Sequence, residues 1–308
     1  MKNRLTLRRS GRKNNFRLYV LCAVPVLLVF IFNYIPMCGA IIAFKDYRYN
    51  EGIFGSDWVG FKNFDIFFKS KDFVNVAWNT VYLNVLFIAS GIVCSTILAV
   101  ILFEITKRRN VKIYQTLMIT PYFISWVVAG YVLYAFLNPQ YGLLNQFLTT
   151  IGLEEIDWYS KPNAWPGILT VANLWKNVGM DSVIYYAALM GIDSSLFEAA
   201  ELDGANKIQT TKYITIPCLV SLITIMTILK IGGIFRADFG LFYQLTRNVG
   251  QLYSTTDVMD TYIYRTLKEW HDLSLSSAAG LLQSVVGFVL VMITNSITKR
   301  IDEDCALF

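Results

Sequence analysis

The chain of 308 residues is poor in charge and in the residues that build most catalytic and metal sites. Only 16% of it is Asp, Glu, Lys or Arg, and 55% is hydrophobic. Soluble domains carry about 25% charged residues, so this composition indicates a membrane protein. There is one histidine, His271, and the five cysteines have no metal-ligand spacing. We therefore expect neither a zinc site nor a Cys/His nucleophile pair.

A nucleotide-binding phosphate loop is also missing. The G-x-x-x-x-G-K-[ST] pattern requires a Gly-Lys dipeptide, and the sequence contains none. If ATP drives this protein, another chain has to bind it, so we expect no cofactor here. The carboxylates between the apolar runs are scattered and set up no acid/base pair. This argues against a membrane enzyme that acts on a sugar or lipid, and no catalytic residue is expected.

Apolar runs long enough to cross a bilayer recur along the chain. A spanning helix needs about 20 residues that are mostly apolar. Six such runs cover most of the sequence and leave no room for a soluble catalytic domain. The sequence therefore predicts an all-α integral membrane protein with a single domain over residues 18–298. Its six predicted spans are 18–44, 81–103, 113–137, 166–192, 216–240 and 275–298.

Lysine and arginine predict how the chain is inserted. Residues 1–17 hold seven basic residues and no acid. If the N-terminus is cytoplasmic, the inner segments hold 15 basic residues, and the longer outer loops hold nine. By the positive-inside rule, the 1–17 segment, the 193–217 loop and the 299–308 tail are then cytoplasmic. Beside a membrane span, these charges favour contact with anionic membrane lipid over nucleic acid.

A charged, capped segment separates the fourth and fifth runs, at residues 193–217. Ser195 and Glu198 have the S-x-x-E spacing of a capping box, which predicts the start of a short helix. Gly204 can take the left-handed conformation that ends such a helix. Pro217 suits the first turn of the next helix. The pattern is typical of a compact helical elbow at one membrane face.

This elbow resembles the signature loop of permease subunits from bacterial binding-protein-dependent ABC importers. That loop reads Glu-Ala-Ala, three residues, Gly, nine residues, then I-x-L-P, and this chain departs only at Ile216, where the pattern has Leu. The resemblance implies a coupling helix that docks into a cleft on a separate ATPase subunit and moves as a rigid lever. The ATPase-coupling residues that it implies are Glu198, Ala199, Ala200, Asp203, Gly204, Ile214 and Pro217.

Other stretches resemble the carbohydrate branch of these permeases, and within it the lipoprotein/aldouronate-type subgroup. They lie at residues 33–37, 58–64, 175–179, 238–243 and 256–262. The resemblance implies a bacterial plasma-membrane subunit that forms half of the pore for an oligosaccharide. It implies three partners: a second, related permease in a heterodimer, a cytoplasmic ATPase dimer that holds ATP and Mg, and an extracellular substrate-binding lipoprotein. The alternative, a secondary ion-coupled sugar transporter, leaves the elbow unexplained.

Ionisable residues inside the predicted spans are candidates for the substrate pathway, because charge within a bilayer is costly and usually faces a partner or water. Lys176 lies about ten residues into the fourth run, about 15 Å deep. Lys230 lies about as deep in the fifth. A purely structural role is the alternative, with Lys176 paired to Asp181, and Arg236 either paired to Asp238 or snorkelling outward. The pathway candidates are Trp175, Lys176, Asn177, Asp181, Lys230, Arg236 and Asp238.

Overall fold

The computed structural model describes residues 12–301, and most of this stretch is helical. Four of its helices are long and apolar enough to cross a membrane, and a bent pair makes a fifth span if counted as one. The predicted all-α membrane fold is confirmed. Residues 1–11 and 302–308, which make up most of the two predicted cytoplasmic ends, lie outside the described part of the chain.

The α-helices follow one another with short connections, and two strands, β1 (Lys45–Asp46) and β2 (Asp57–Trp58), form a small antiparallel pair. The helices are α1 (Arg12–Val29), α2 (Ile35–Met37), α3 (Gly52–Gly55), α4 (Lys62–Lys69), α5 (Lys71–Phe103), α6 (Arg108–Ile119), α7 (Trp126–Leu137), α8 (Leu143–Thr150), α9 (Trp165–Leu189), α10 (Ser194–Leu202), α11 (Lys207–Thr210), α12 (Ile216–Gly232), α13 (Phe239–Thr246), α14 (Tyr253–Thr256), α15 (Met259–Lys268) and α16 (Leu273–Ile301).

Helix α5 is the central element of the packing. Its 33 residues correspond to about 50 Å of helix. Three buried clusters lie along it: Val76 packs with α4, α15 and α16, Leu83 with α9 and α13, and Ala99 with α9 and α12. Because each cluster draws on a different set of helices, α5 fixes the positions of α9, α12 and α13 relative to one another.

Two prolines, Pro36 and Pro217, lie just after π-helical turns within continuous helical runs. Pro36 follows a π-helical turn at Phe30–Tyr34, and Pro217 follows another at Thr211–Thr215. A proline ring collides with the carbonyl four residues earlier in an α-helix. The wider π turn relieves that collision, and such turns are frequent at functional sites. The chain is consequently helical without a break from Lys207 to Gly232.

The third predicted span is not one straight helix. Helix α6 continues through a 3₁₀ turn at Thr120–Phe123, and α7 then leaves at an angle of 95°. Pro121 opens the 3₁₀ turn, and the Ser125 hydroxyl caps α7 by accepting a hydrogen bond from the Val128 amide. The bend leaves carbonyl groups of the chain without helical partners, so they need donors from elsewhere.

The ends of other predicted spans also differ from the structure. Helix α5 begins at Lys71, ten residues before the predicted start at 81, because the Ser70 hydroxyl caps it by accepting a hydrogen bond from the Phe73 amide. The added turns contain the buried polar Asn79, which donates to carbonyls of the α14 region, so no apolar run marked them. Helix α12 ends at Gly232, so residues 233–238 of the fifth predicted span are not helical. The fourth predicted span is the continuous helix α9, which carries Lys176 and Asp181 and is not among the helices apolar enough to count as spans by composition.

Candidate transport pathway and coupling elbow

A polar cavity of about 300 Å³ lies among α5, α9, α12 and the start of α13. The apolar part of its wall includes Phe87, Ile88 and Leu241. Its polar wall brings together four predicted pathway residues from three segments, with two asparagines that the sequence did not indicate. The six polar residues are Asn84, Asn173, Asn177, Asp181, Lys230 and Asp238.

The non-helical segment at 233–238 borders this cavity, and side chains from other helices satisfy its backbone. The Asn84 amide donates to the carbonyls of Ile234 and Arg236, both at 3.0 Å. Gln283 donates to the Phe235 carbonyl at 3.0 Å, and the Ala237 amide donates to the Asp260 carboxylate at 2.8 Å. In a membrane, irregular backbone is tolerated where protein groups satisfy it or where it lines a water-filled cavity. This segment meets the first condition, and its last residue, Asp238, lines the polar cavity.

The two opposite charges in the cavity wall form an ion pair across two helices. The Lys230 ammonium lies 2.5 Å from the Asp181 carboxylate, with side chains 32% and 22% exposed. Lys230 is in the last turn of α12, two residues before the helix ends. A cation near a helix C-terminus also interacts favourably with the helix dipole. The pair therefore ties the end of α12 to α9.

Asp238 supports the opposite side of the cavity. One carboxylate oxygen accepts a hydrogen bond from the Trp126 indole at 2.6 Å, and the other accepts from the Leu241 amide at 3.3 Å. The second bond makes Asp238 the N-cap of α13. The carboxylate thus fixes both α13 and the first residue of α7. Arg236 lies elsewhere, against a separate cavity of about 370 Å³ that Gln283 also lines, and no ion pair joins Arg236 to Asp238 in the described residues.

Lys176 lies outside the polar cavity and binds backbone carbonyls at the bend between α6 and α7. Its side chain is buried, and its ammonium donates to the carbonyl of Tyr122 at 2.7 Å and also to that of Ile124. It also lies 5.2 Å from the centre of the Trp126 ring. The alternative pairing of Lys176 with Asp181 is wrong, because residues five apart in a helix do not share a face.

Trp175 faces away from the polar cavity as well. It borders a large apolar cavity of about 660 Å³ between α7 and α9, together with Trp126 and Trp158. Of the seven predicted pathway residues, then, Asn177, Asp181, Lys230 and Asp238 share one cavity. The other three lie apart from it: Trp175 borders the apolar cavity, Lys176 binds the bend, and Arg236 lines the separate cavity with Gln283.

The elbow contains the predicted short helix, but a different residue caps it. Helix α10 begins at Ser194, and the carboxylate of Asp193 accepts from the Ser195 amide at 3.0 Å. The Ser195–Glu198 capping box is therefore not formed. The backbone and side-chain hydrogen bonds from Ser195 lower the pKa of the exposed Asp193, because they stabilise the carboxylate. Asp and Ser are about equally good caps, so spacing alone could not choose between them.

The other end of the elbow agrees with the sequence pattern. Gly204 has φ of 76° and ends α10, as predicted, and no atom lies within 4 Å of where its Cβ would be. Glu198, Ala199 and Asp203 lie on or just after α10, with Ala200 partly covered. Ile214 is in the π turn and Pro217 in the first turn of α12.

Sequence analysis missed the apolar side chains that the elbow presents. Leu202 is 89% exposed and Ile208 is 79% exposed, one on each side of Gly204. It also missed the ion pair of Lys207 with Glu104 at 3.2 Å, which joins the elbow to the end of α5. Isolated apolar residues in a helical sequence carry no signal that distinguishes a core position from a docking position. Their exposure is visible only in the folded chain.

We expect Lys230→Met to destabilise the fold by about 2–3 kcal/mol, because it leaves the partly buried Asp181 carboxylate unpaired. The double variant Lys230→Met/Asp181→Asn should recover most of this loss, since it removes both charges. Thermal unfolding of the detergent-purified chain measures the effect. Lys69→Met is the matched control: it breaks an exposed pair with Asp65 at 2.7 Å, and should change stability by less than about 0.5 kcal/mol. Equal unfolding temperatures for the single and double variants would contradict the assignment.

The fold and the cavity define a class: a multi-pass helical membrane protein with a polar chamber among its helices, as expected of a transport subunit. Comparison with known proteins identifies the family. Residues 91–303 match the family described as "Binding-protein-dependent transport system inner membrane component". The chain belongs to this family, and is a transport subunit of the bacterial inner membrane rather than an enzyme. Family membership favours the binding-protein-dependent importer over the ion-coupled alternative.

Similar proteins cover nearly the whole chain. LplB of Bacillus subtilis is 33% identical over 96% of this chain and 92% of its own length. The polygalacturonan/rhamnogalacturonan transport system permease protein YteP of the same organism is 32% identical over 93% and 89%. A solved bacterial ABC transporter involved in the import of the acidic polysaccharide alginate has a chain with 32% identity and a TM-score of 0.85, covering 94% of this chain and 97% of that one. A second structure shows a bacterial alginate ABC transporter in complex with its periplasmic protein, which holds an alginate pentasaccharide. Its matching chain has a TM-score of 0.83, covering 94% of this chain and 96% of that one.

Proposed function

We propose that this chain is one of two related permease subunits of an ATP-driven importer for oligosaccharides. The observation that carries the proposal is the elbow, with two apolar side chains almost fully exposed beside a capped helix. Exposed apolar groups of this kind mark a surface that another protein covers. We propose that the cover is a cytoplasmic ATPase dimer holding ATP and Mg, and that both termini and the elbow face the cytoplasm. Residues 1–17 and 299–308 then flank a single permease domain over 18–298.

The coupling residues of the proposal are Glu198, Ala199, Ala200, Asp203, Gly204, Ile214 and Pro217, with Leu202 and Ile208 as additions. The structure supports a lever made of α11 and α12, because the chain is helical from Lys207 to Gly232 and this run carries Lys230 in the cavity wall. Movement of the elbow would therefore reach the Lys230–Asp181 pair through one continuous helix. A change in this pair can open or close the polar cavity.

The substrate class is proposed from the relatives and the cavity together. YteP is named for polygalacturonan and rhamnogalacturonan transport, and the solved relative for alginate import. In this chain, the Asn173 and Asn177 amides, which bond to each other at 2.8 Å, and the Asn84 amide oxygen offer hydrogen-bonding groups that suit sugar hydroxyls. An extracellular substrate-binding lipoprotein would deliver the oligosaccharide, as the periplasmic protein of the alginate transporter carries its pentasaccharide.

A gentle-detergent pull-down of the tagged chain from native membranes tests the assembly. We expect an ATPase, a second permease and a saccharide-binding lipoprotein to be recovered with it. Leu202→Asp should weaken binding of the ATPase by more than about thirtyfold, because loss of an interface hot spot costs about 2 kcal/mol or more. The amount of ATPase recovered should fall accordingly. Phe54→Asp is the matched control, since Phe54 is 94% exposed but lies in the predicted outer loop. Recovery of the chain without any ATPase would contradict the proposal and favour an ion-coupled transporter.

A further inference from the structure

A second polar pocket lies on the other side of α13 from the polar cavity. It has a volume of about 210 Å³ and is formed by α7 and α13. At 100° per residue, its α13 residues point about opposite to Asp238 and Leu241, which face the first cavity. Helix α13 is therefore the wall between the two. The lining residues are Val127, Gly130, Tyr131, Tyr243, Gln244 and Arg247.

The backbones of α7 and α13 touch at the floor of this pocket. A Cβ on Gly130 would lie 2.8 Å from the Gln244 carbonyl oxygen, closer than such atoms approach. The glycine allows this contact, and it fixes the spacing between the two helices. Tyr131 on α7 and Tyr243 on α13 both line the pocket beside this contact.

Arg247 supplies a cation to this pocket. Its guanidinium lies 4.0 Å from the centre of the Tyr134 ring, and its residue is exposed. Among the residues that the structure describes, no carboxylate forms an ion pair with it. The neighbouring acid Glu269 instead accepts a hydrogen bond from Asn248 at 2.6 Å. The fork of N–H donors on Arg247 is thus available to a ligand, while the ring of Tyr134 holds the guanidinium in place.

The backbone that carries Arg247 is held in an unfavourable conformation. Arg247 and Asn248 have φ of 55° and 53°, in the left-handed region that favours glycine. Contacts made by Asn248 maintain the turn: its side chain accepts from the Tyr253 hydroxyl at 2.9 Å and donates to Glu269. Strain kept by surrounding contacts is a feature of ligand sites. The left-handed conformation at position 247 would be easier for a glycine, but here it carries an arginine whose guanidinium lies over Tyr134 of α7.

We infer that this pocket binds one carboxylated sugar unit of an acidic oligosaccharide, with Arg247 holding the carboxylate. An arginine fork matches the two oxygens of a carboxylate. The exposed Tyr131 ring offers a face to the sugar, and the Gln244 amide offers a donor and an acceptor for its hydroxyls. The inference rests on the proposed function, because it assigns a charge to the oligosaccharide that the importer carries.

The test compares an acidic probe with the same probe after its charge has been removed. The complex purified from native membranes with its partner chains is placed in proteoliposomes, and ATP-dependent uptake of trigalacturonate and of its methyl ester is measured. We expect Arg247→Gln to slow uptake of the acid about tenfold and to change uptake of the ester less than about twofold. Arg247→Lys should retain part of the preference for the acid. Lys268→Gln, an exposed cation of the same outer loop, is the control and should behave as the wild type.

The possible results separate the inference from the proposed function. Selective loss of acid uptake in Arg247→Gln, with the amount of assembled complex unchanged, supports the pocket. Equal loss of uptake for acid and ester overturns the inference, and is the result expected if Arg247 pairs with an acid of the second permease. No loss of uptake for either probe overturns it as well. Uptake of neutral oligosaccharides alone by the wild type also overturns it but leaves the proposed importer intact. Tyr131→Leu provides a second variant, which should weaken uptake of both probes by removing a stacking face.

Discussion

Replacement of Gly179 by alanine is expected to prevent the chain from folding correctly. An added Cβ would lie 1.8 Å from the Met118 carbonyl oxygen and 2.4 Å from its carbonyl carbon. Both are backbone atoms of α6, so no side-chain rotation can relieve the clash. Overpacking a core costs about 1–3 kcal/mol when side chains can adjust. We expect a loss above about 3 kcal/mol here, because α9 as a whole has to move away from α6.

The consequences of that movement extend to the bend. Lys176 is one turn from Gly179 and donates to the carbonyls of Tyr122 and Ile124, which the bend leaves unpaired. Displacing α9 removes those donors and exposes two carbonyls inside the membrane domain, at a further cost. The measured quantities are the yield of monodisperse protein in detergent and its unfolding temperature.

Gly167→Ala is the matched control for this variant. Gly167 lies on the same helix, and no atom is within 4 Å of where its Cβ would be. Alanine favours a helix over glycine by about 0.5–1 kcal/mol, so this variant should be neutral or slightly more stable. An unfolding temperature for Gly179→Ala as high as that of Gly167→Ala would show that α6 and α9 do not meet at this glycine.

The sequence predicted which segments are membrane helices better than it predicted where those helices begin and end. Hydrophobic runs located the helices, because membrane burial requires a local run of apolar residues. They did not locate every helix end. The apolar run put the start of α5 at 81, whereas Ser70 caps the helix ahead of a polar first turn. Asn84 satisfies carbonyls where α12 has ended, and those partners are 150 and 152 residues away, so no local pattern indicates them.

Charged residues show the same division. Their cost in a membrane correctly indicated that Lys176, Asp181 and Lys230 would each have a specific environment. Which partner each one takes is a property of helix packing. Lys230 reaches Asp181 from another helix, and Lys176 satisfies the bend at Tyr122 and Ile124. The elbow was easier to predict because its short helix and the glycine that ends it lie within about ten residues of each other in the sequence.

Gly204→Asp is expected to abolish ATP-driven uptake while leaving the chain inserted and folded. Gly204 has φ of 76°, and no atom would contact an added Cβ, so aspartate meets only the modest penalty of the left-handed conformation, about 1 kcal/mol. The new carboxylate lies beside Glu201 and Asp203, and next to the exposed Leu202. A charge introduced at the centre of a docking surface weakens association by about 2 kcal/mol or more, which corresponds to a loss of more than about thirtyfold.

A second glycine separates docking from backbone strain. Gly152 has φ of 83°, its Cβ position is equally open, and it lies in the predicted outer loop, away from the elbow. Gly152→Asp therefore introduces the same residue into the same backbone conformation and the same open space. Uptake into proteoliposomes and the amount of ATPase bound to the permease are measured for both variants. Loss in Gly204→Asp alone assigns the effect to the elbow surface, because strain and added charge are common to the two. Equal loss in both variants, or normal uptake in Gly204→Asp, would contradict a coupling role for the elbow.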